Sequence, residues 1–373
     1  MKTRKLGMPY YPSNAYQVVQ TQFKSFPEYI EYCRQLIAAS RLDMAGDDRE
    51  KIINANAPFE LNANTASRKG VLLIHGLYDS PCQMRSVGEA YAAQGYHVRA
   101  MLLPGHGTVP GDLLKINYQD WIAAAEYSLG SFKGVVDELV IAGFSTGGTL
   151  AIYLALLYPA LINKIVLFAP ALRLIPLLNY LAQFSGQSTW ALPAKDWLTI
   201  ENEIDYAKYS SFCVNSLVQT YRLGNFVRKL LQEKSLRVPS LWFVTQHDEV
   251  LDSKALLKLF KRYATKESEL IYYSPEPVKF KDPRIKWESS QRPDAQVVDF
   301  SHVCLPISPA HKHYGVEGDF PALIRAELAK KGREAKRYGS LRNINLFSRA
   351  SLVRLTYNPD FEACIKAALR KSS

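Results

Sequence analysis

Residues 139–157 read Leu-Val-Ile-Ala-Gly-Phe-Ser-Thr-Gly-Gly-Thr-Leu-Ala-Ile-Tyr-Leu-Ala-Leu-Leu. The apolar residues before Gly143 predict a buried strand, and the residues from Thr149 onward predict a helix that follows at once. A Gly-x-Ser-x-Gly pattern between strand and helix indicates a sharp turn that lifts Ser145 above the sheet. Side chains in place of the flanking glycines would collide with the neighbouring strand and helix. This context predicts Ser145 as a nucleophile beside helix N-terminal amides, which stabilise developing negative charge.

The same alternation of apolar runs and helical segments continues on both sides of this turn. Strands are predicted at 71–75, 96–103, 137–142, 163–168, 239–245 and 296–300. Helices are predicted at 26–40, about 82–94, 118–132, 146–158, 253–264 and 360–370. Apolar strands that alternate with helices predict an α/β fold with a mostly parallel central sheet and helices on both faces.

The spacing of these elements suggests four regions. The segment between the strands at 163–168 and 239–245 is too long for one crossover helix and carries Trp190 and Trp197. We expect a helical cap or lid there, the cap insertion of residues 171–232, although ordinary extra helices on one face are the alternative. The predicted regions are an N-terminal extension with an amphipathic helix (1–67), a core (68–170 and 233–315), the cap insertion (171–232) and a basic, helical C-terminal extension (316–373).

A serine hydroxyl needs a base to take its proton. Three histidines follow a suitable acid in the chain, namely His302, His311 and His313. His302 comes after the predicted strand at 296–300, which places it on a loop at a strand's carboxyl end, where catalytic groups of parallel sheets collect. His311 and His313 follow two prolines and are predicted to be surface residues. His302 is therefore the predicted base.

The acid that orients the base is expected after the strand at 239–245. This segment offers Asp248, Glu249 and Asp252. Asp248 comes three residues after the predicted strand end and is the favoured acid, with the task of holding the imidazole tautomer. Asp252 is equally well placed to cap the helix that begins near residue 253.

Two backbone amides are expected to bind the oxyanion that forms during attack. One is the amide of Thr146, the residue after the predicted nucleophile. The other is the amide of Leu77, since His75-Gly76 after the first apolar strand permits close backbone approach. His75 itself is predicted to be structural.

Five motifs together resemble carboxylesterases and monoacylglycerol lipases, which belong to the serine aminopeptidase-like grouping of α/β-hydrolases. In chain order they are Ile74-His-Gly-Leu, Leu103-Pro-Gly-His-Gly-Thr, Gly143-Phe-Ser-Thr-Gly-Gly, Gln246-His-Asp-Glu-Val-Leu-Asp and Phe300-Ser-His-Val. The resemblance covers about residues 68–315. It implies that Ser145, Asp248 and His302 match the family's nucleophile, acid and base, and that Leu77 and Thr146 match its oxyanion amides. It also implies a structural role for His106, and a core that ends well before residue 373.

The resemblance implies hydrolysis of carboxylic esters of apolar acyl chains through an acyl-enzyme, with neither metal nor organic cofactor. Its expected partner is a small-molecule ester or lipid. One alternative is a peptidase acting at a peptide N-terminus, which would need Glu201, Glu203 or Asp205 to bind the substrate amine. Another is a silent α/β-hydrolase that binds a small ligand, since fold alone does not fix function.

Charge and cysteine content add further expectations. The formal net charge is +11, and residues 315–373 hold twelve Lys and Arg against six Asp and Glu. Such charges are expected to solvate a helical surface, with weak contact to anionic membranes as the alternative. No nucleic-acid motif accompanies them. Five scattered cysteines indicate reduced thiols, and the absence of a visible signal peptide or membrane span predicts a soluble cytoplasmic protein.

Overall fold

The structure is a computed structural model that describes residues 9–13, 23–41, 48–62, 67–185, 196–342 and 352–370. Trp190, assigned above to the cap insertion, lies outside the described residues. Within the described ranges, no helix combines the length and the hydropathy needed to cross a bilayer.

The helices and strands alternate along most of the described chain. The helices are α1 (Phe26–Ser40), α2 (Arg49–Asn56), α3 (Arg85–Ala93), α4 (Tyr118–Gly130), α5 (Thr146–Leu157), α6 (Pro176–Ser185), α7 (Val214–Glu233), α8 (Ser253–Tyr263), α9 (Asp319–Lys330) and α10 (Phe361–Leu369). The strands are β1 (Phe59–Leu61), β2 (Lys69–Ile74), β3 (His97–Met101), β4 (Glu138–Phe144), β5 (Lys164–Phe168), β6 (Trp197–Thr199), β7 (Phe212–Cys213), β8 (Ser240–Thr245), β9 (Glu269–Ser274), β10 (Ile285–Ser289), β11 (Arg337–Gly339) and β12 (Leu352–Arg354).

The central sheet has eight strands in the order β1-β3-β2-β4-β5-β8-β9-β10. β1 runs antiparallel to β3, and all other neighbouring pairs are parallel. β8 is buried along its whole length, and β2, β4 and β5 are buried beyond their first residues. Such continuous burial is typical of parallel strands that are covered on both faces. The prediction of an α/β-hydrolase fold with a mostly parallel sheet is confirmed.

β4 passes directly into α5 through Ser145, whose φ of +53° lies in the left-handed region. A Cβ atom added to Gly147 would lie 2.1 Å from the carbonyl oxygen of Ile74 on β2. A Cβ atom added to Gly143 would lie 2.3 Å from the carbonyl oxygen of Gly147. The two glycines therefore allow strand, turn and helix to pack at backbone contact distance, which holds Ser145 in its strained conformation.

Replacing Gly147 with Ala is expected to lower the free energy of unfolding by about 3 kcal/mol, because the new methyl group would meet backbone that cannot move aside. Urea denaturation followed by circular dichroism measures this change. The matched control is Gly130→Ala at the end of α4, where an added Cβ meets nothing within 4 Å. Alanine there is expected to stabilise the helix by about 0.5–1 kcal/mol. An unchanged urea midpoint for Gly147→Ala would contradict this account of the turn.

The predicted strand at 296–300 is wrong. Gln296 has a left-handed φ of +56°, and Val297 forms only isolated bridges, with Arg292 and with Tyr338. Val297 and Phe300 are buried, so the apolar pattern reflects packing of an irregular loop. The last positions of the sheet belong instead to β9 and β10, which the sequence analysis did not predict. His302 therefore follows a loop, and no strand of the sheet precedes it directly.

The cap insertion contains α6, β6, β7 and α7 between β5 and β8, and α7 packs against α4 and α5. Its first residues are fastened to the loop after β8. Leu174 pairs with Leu251 in an antiparallel bridge, and the amide of Ile175 donates to the carbonyl of Val250 at 2.9 Å. The beginning of the insertion and the loop that holds Asp248 are thus one packed unit.

The C-terminal extension docks on the core. The predicted helix at 360–370 corresponds to α10, where the Cys364 thiol lies 3.0 Å from the Tyr273 hydroxyl of β9. At the end of α10, the Lys164 ammonium donates to the carbonyl of Ala368 at 2.9 Å, a favourable pairing of a cation with a helix C-terminus. The extension also contains the parallel strand pair β11 and β12. The sequence predicted only helix in this region.

Candidate active site

Ser145, His302 and Asp248 form one hydrogen-bonded chain. Nδ1 of His302 lies 2.7 Å from Oδ2 of Asp248, and Nε2 of His302 lies 3.0 Å from Oγ of Ser145. A carboxylate can only accept, so Nδ1 donates to Asp248, and Nε2 is left to accept from the Ser145 hydroxyl. All three residues are buried, with Asp248 fully inaccessible. The structure therefore brings together the three side chains predicted from chain order.

The loop after β8 contains three acids, Asp248, Glu249 and Asp252, and each has different hydrogen-bond partners. Oδ1 of Asp248 accepts from the amides of Val250 and Leu251 at 2.8 and 2.7 Å, which directs Oδ2 toward His302. Asp252 is the N-cap of α8, and its carboxylate accepts from the Ala255 amide. Asp252 is therefore a helix cap, as its alternative reading predicted.

Glu249 holds the backbone of the histidine. Its Oε2 accepts from the amide of His302 at 3.0 Å, and its Oε1 accepts from Nε of Arg354 at 2.7 Å. The hydroxyl of Ser340 also donates to Glu249, and Arg342 donates to the carbonyl of Asp248 at 2.8 Å. Three residues of the C-terminal extension therefore fix the loops that carry Asp248 and His302. Sequence reasoning missed them, because contacts about a hundred residues apart leave no local pattern.

The amides of Leu77 and Thr146 lie in the two segments that flank Ser145. Thr146 is the first residue of α5, so its N–H has no acceptor inside the helix. Among the described residues, the Leu77 amide forms no hydrogen bond to a backbone carbonyl. The next residue, Tyr78, has a φ of +67° and donates its amide to Nε2 of His106 at 3.0 Å. The loop 75–80 is thus bent and anchored directly beside Leu77.

His75 and His106 support this loop as neutral imidazoles. Nε2 of His75 accepts from the Leu103 amide at 2.9 Å, and its Nδ1 donates to the Gly76 carbonyl at 2.8 Å. Nδ1 of His106 donates to the carbonyl of Pro104 at 3.1 Å. Burial lowers the pKa of His75 and of His106 to about 3. Each ring can therefore accept one amide at neutral pH, in keeping with the structural roles expected from the sequence.

Residues of the cap insertion also contact the loop 75–80. The amide of Tyr209 donates to the carbonyl of Tyr78 at 2.9 Å, and the Tyr78 hydroxyl lies 2.5 Å from the Ser216 hydroxyl. The ammonium of Lys208 lies 2.7 Å from Oδ1 of Asp79, whose side chain is 2% exposed. Such a shielded ion pair is costly to break once formed. These cap contacts, which carry no sequence motif, order the loop around Leu77.

His311 and His313 are buried, so their prediction as surface residues is wrong. Nε2 of His313 lies 2.8 Å from Oδ1 of Asp205, and the Tyr314 hydroxyl donates to Oδ2 of the same carboxylate at 3.0 Å. Burial lowers the pKa of His311 to about 4, and it raises the pKa of its neighbour Cys82 to about 12. The reason for the burial is tertiary, because Asp205 and Tyr206 contact His313 and Cys82 contacts His311.

Two of the three acids suggested for binding a substrate amine have other partners. Asp205 is 4% exposed and is bound by His313 and Tyr314. The carboxylate of Glu203 accepts from the amides of Ser210 and Ser211 at 2.7 and 2.9 Å. Glu201 is exposed at the surface.

The arrangement can transfer a proton and stabilise an anion. A buried carboxylate that orients an imidazole enables that imidazole to accept a proton from a hydroxyl. The Leu77 and Thr146 amides donate to no backbone carbonyl of the described residues, and unpaired amides of this kind can bind an oxyanion. The family model that matches residues 65–275, more than half of the chain, describes serine aminopeptidase, S33.

The chain belongs to this family.

Relatives of this S33 member include lipolytic enzymes. This chain is 29% identical over 202 residues to a thermostable monoacylglycerol lipase of Bacillus sp. (strain H-257). The match covers 54% of this chain and 79% of the relative. A solved structure from work on LipS and LipT, two metagenome-derived lipolytic enzymes, is 26% identical, with a TM-score of 0.50. That match covers 58% of this chain and 86% of the other. The S33 member described here is accordingly a hydrolase of the α/β-hydrolase fold.

Proposed function

We propose that this hydrolase cleaves carboxylic esters of apolar acyl chains, as a carboxylesterase or monoacylglycerol-lipase-like enzyme. The observation that carries the proposal is the buried chain of hydrogen bonds from Asp248 through His302 to Ser145. The names of the relatives, a monoacylglycerol lipase and lipolytic enzymes, support the same class of substrate.

The proposed reaction is a two-step acyl transfer. Oγ of Ser145 attacks the ester carbonyl carbon while Nε2 of His302 takes its proton, and Asp248 stabilises the imidazolium that forms. The C–O bond to the alcohol then breaks, and His302 returns the proton to the departing oxygen. Water next attacks the acyl-enzyme with His302 as base, which releases the carboxylic acid and restores the Ser145 hydroxyl.

The amides of Leu77 and Thr146 are proposed to bind the oxyanion in both steps. Loss of one such donor typically costs about 3 kcal/mol of transition-state stabilisation. Backbone amides retain this geometry only if their loop is rigid. The anchors described for the loop 75–80, with His106 on one side and Lys208 and Tyr209 on the other, support this assignment. We also propose that the cap insertion of residues 171–232 covers the site.

A substrate panel separates this function from the aminopeptidase alternative. The wild-type enzyme is expected to turn over p-nitrophenyl butyrate and to leave alanine p-nitroanilide intact, because the carboxylates of Asp205 and Glu203 already accept bonds from the protein. Release of p-nitrophenol or p-nitroaniline measures both reactions. Faster cleavage of the amide would overturn the ester assignment. Failure to cleave either compound would favour a silent ligand-binding protein.

A further inference from the structure

A cavity of about 670 Å³ lies between the cap insertion and the C-terminal extension. This volume falls within the range of small-molecule binding sites. Phe212 belongs to its wall on the cap side, and Val303, the residue directly after His302, belongs to its wall on the core side. On the side of the extension the cavity is bounded by α9 and by the β11–β12 pair, including Leu341 and Leu352. The cavity wall therefore includes the residue that directly follows the predicted base.

The apolar residues of α9 indicate which kind of ligand the cavity binds. Phe320, Ile324 and Leu328 follow one another at intervals of four residues, which places them on one face of the helix. All three border the cavity, yet none of the residues of α9 is buried. Val316 and Leu341 at the same cavity are 40% and 42% exposed. Phe320 also contacts the rings of His313 and Tyr314. Among the described residues, protein thus covers this apolar helix face only in part, which indicates an apolar occupant.

Three of the five charged residues around this cavity pair with other side chains of the protein. Asp205 is bound by His313, Lys208 by Asp79, and Arg354 by Glu249. The other two, Asp294 and Arg325, are exposed, and most of the remaining wall is apolar. A hydrocarbon chain is the chemistry that matches such a lining.

We infer that this cavity binds the acyl chain of a long-chain carboxylic ester, and that the C-terminal extension is a determinant of chain length. The inference rests on the proposed function, since it places the ester carbonyl at Ser145 and leads the chain past Val303. α9, β11 and β12 lie beyond residue 275, where the family match ends. This wall of the cavity thus lies outside the part of the chain that the family model matches.

Filling the cavity from α9 tests the inference. In Ile324→Trp the larger side chain is expected to lower kcat/KM for p-nitrophenyl palmitate by about tenfold, the loss that follows when about two methylenes are excluded from an apolar pocket. The value for p-nitrophenyl acetate should remain that of the wild type. Leu323→Trp is the matched control, because Leu323 is 37% exposed on the same helix and does not border the cavity. It should leave both values unchanged.

A second variant and a binding assay make the test independent of turnover. Leu341→Glu, at an exposed position, places a charge in the cavity and should impair palmitate hydrolysis selectively in the same way. Fluorescence titration with cis-parinaric acid should give a weaker Kd for both cavity variants than for wild type and Leu323→Trp. Equal losses for palmitate and acetate, or unchanged parinarate binding, would overturn the inference. A wild type that binds parinarate but cleaves no ester would instead overturn the proposed function.

Discussion

Replacing Ser145 with Ala is expected to lower kcat/KM for p-nitrophenyl butyrate by about ten-thousandfold to a millionfold, the range found when a serine nucleophile is removed. The reason is that alanine leaves His302 with no hydroxyl to deprotonate and the ester with no group to form the acyl-enzyme. Initial rates of p-nitrophenol release measure the change. Folding should be unaffected, because the substitution removes one oxygen and introduces no new atoms at the tight turn.

The matched control is Ser128→Ala in α4. Ser128 is likewise a buried serine, and its hydroxyl donates to the carbonyl of Ala124 at 2.8 Å rather than to a group of the candidate site. This variant is expected to keep wild-type turnover with a modest loss of stability of about 1 kcal/mol. Turnover by Ser145→Ala that equals turnover by Ser128→Ala would refute the assigned nucleophile.

Replacing Asp248 with Asn is expected to lower kcat by about ten-thousandfold. The amides of Val250 and Leu251 both donate to Oδ1, so the carbonyl oxygen of the new amide would occupy that position. Its NH₂ group would then face Nδ1 of His302, which would have to accept instead of donate. The proton would move to Nε2, and the ring could no longer take a proton from Ser145.

Asp252→Asn controls for a general effect of changing this loop. Asp252 caps α8 through the Ala255 amide, and asparagine is an equally good N-cap residue. Its activity and urea midpoint should therefore match those of the wild type. Near-normal kcat in Asp248→Asn, measured with p-nitrophenyl butyrate, would show that Asp248 does not set the tautomer.

The sequence predicted those parts of the fold that depend on local patterns. The turn around Ser145 was predictable because strand, glycine pattern and helix are contiguous, and β2, β3, β4, β5 and β8 were predicted to within three residues at each end. The segment 296–300 failed because Val297 pairs with Tyr338 and Phe300 packs on Tyr273, and neither residue forms a strand of the sheet. His311 and His313 failed for a similar reason, since Cys82 contacts the first and Asp205 the second, each more than a hundred residues away in the chain.

Some residues of the candidate site could be predicted from the sequence and others could not. Ser145, Asp248 and His302 could be predicted because the order of such groups along the chain is a feature of the resemblance. The residues that support them could not. Arg354 reaches Glu249, and Lys208 reaches Asp79, across 105 and 129 positions of sequence. Pairings at such distances are set by tertiary packing, which hydrophobic periodicity and short motifs do not record.

Covalent labelling tests the central claim, that Ser145 is the activated nucleophile, most directly. The wild-type protein is incubated with a fluorophosphonate, digested, and mapped by peptide mass spectrometry, with Ser145→Ala treated in parallel. We predict one phosphonylated residue, Ser145, and no adduct in the variant. An unlabelled Ser145, or an adduct on another serine that persists in Ser145→Ala, would contradict the account.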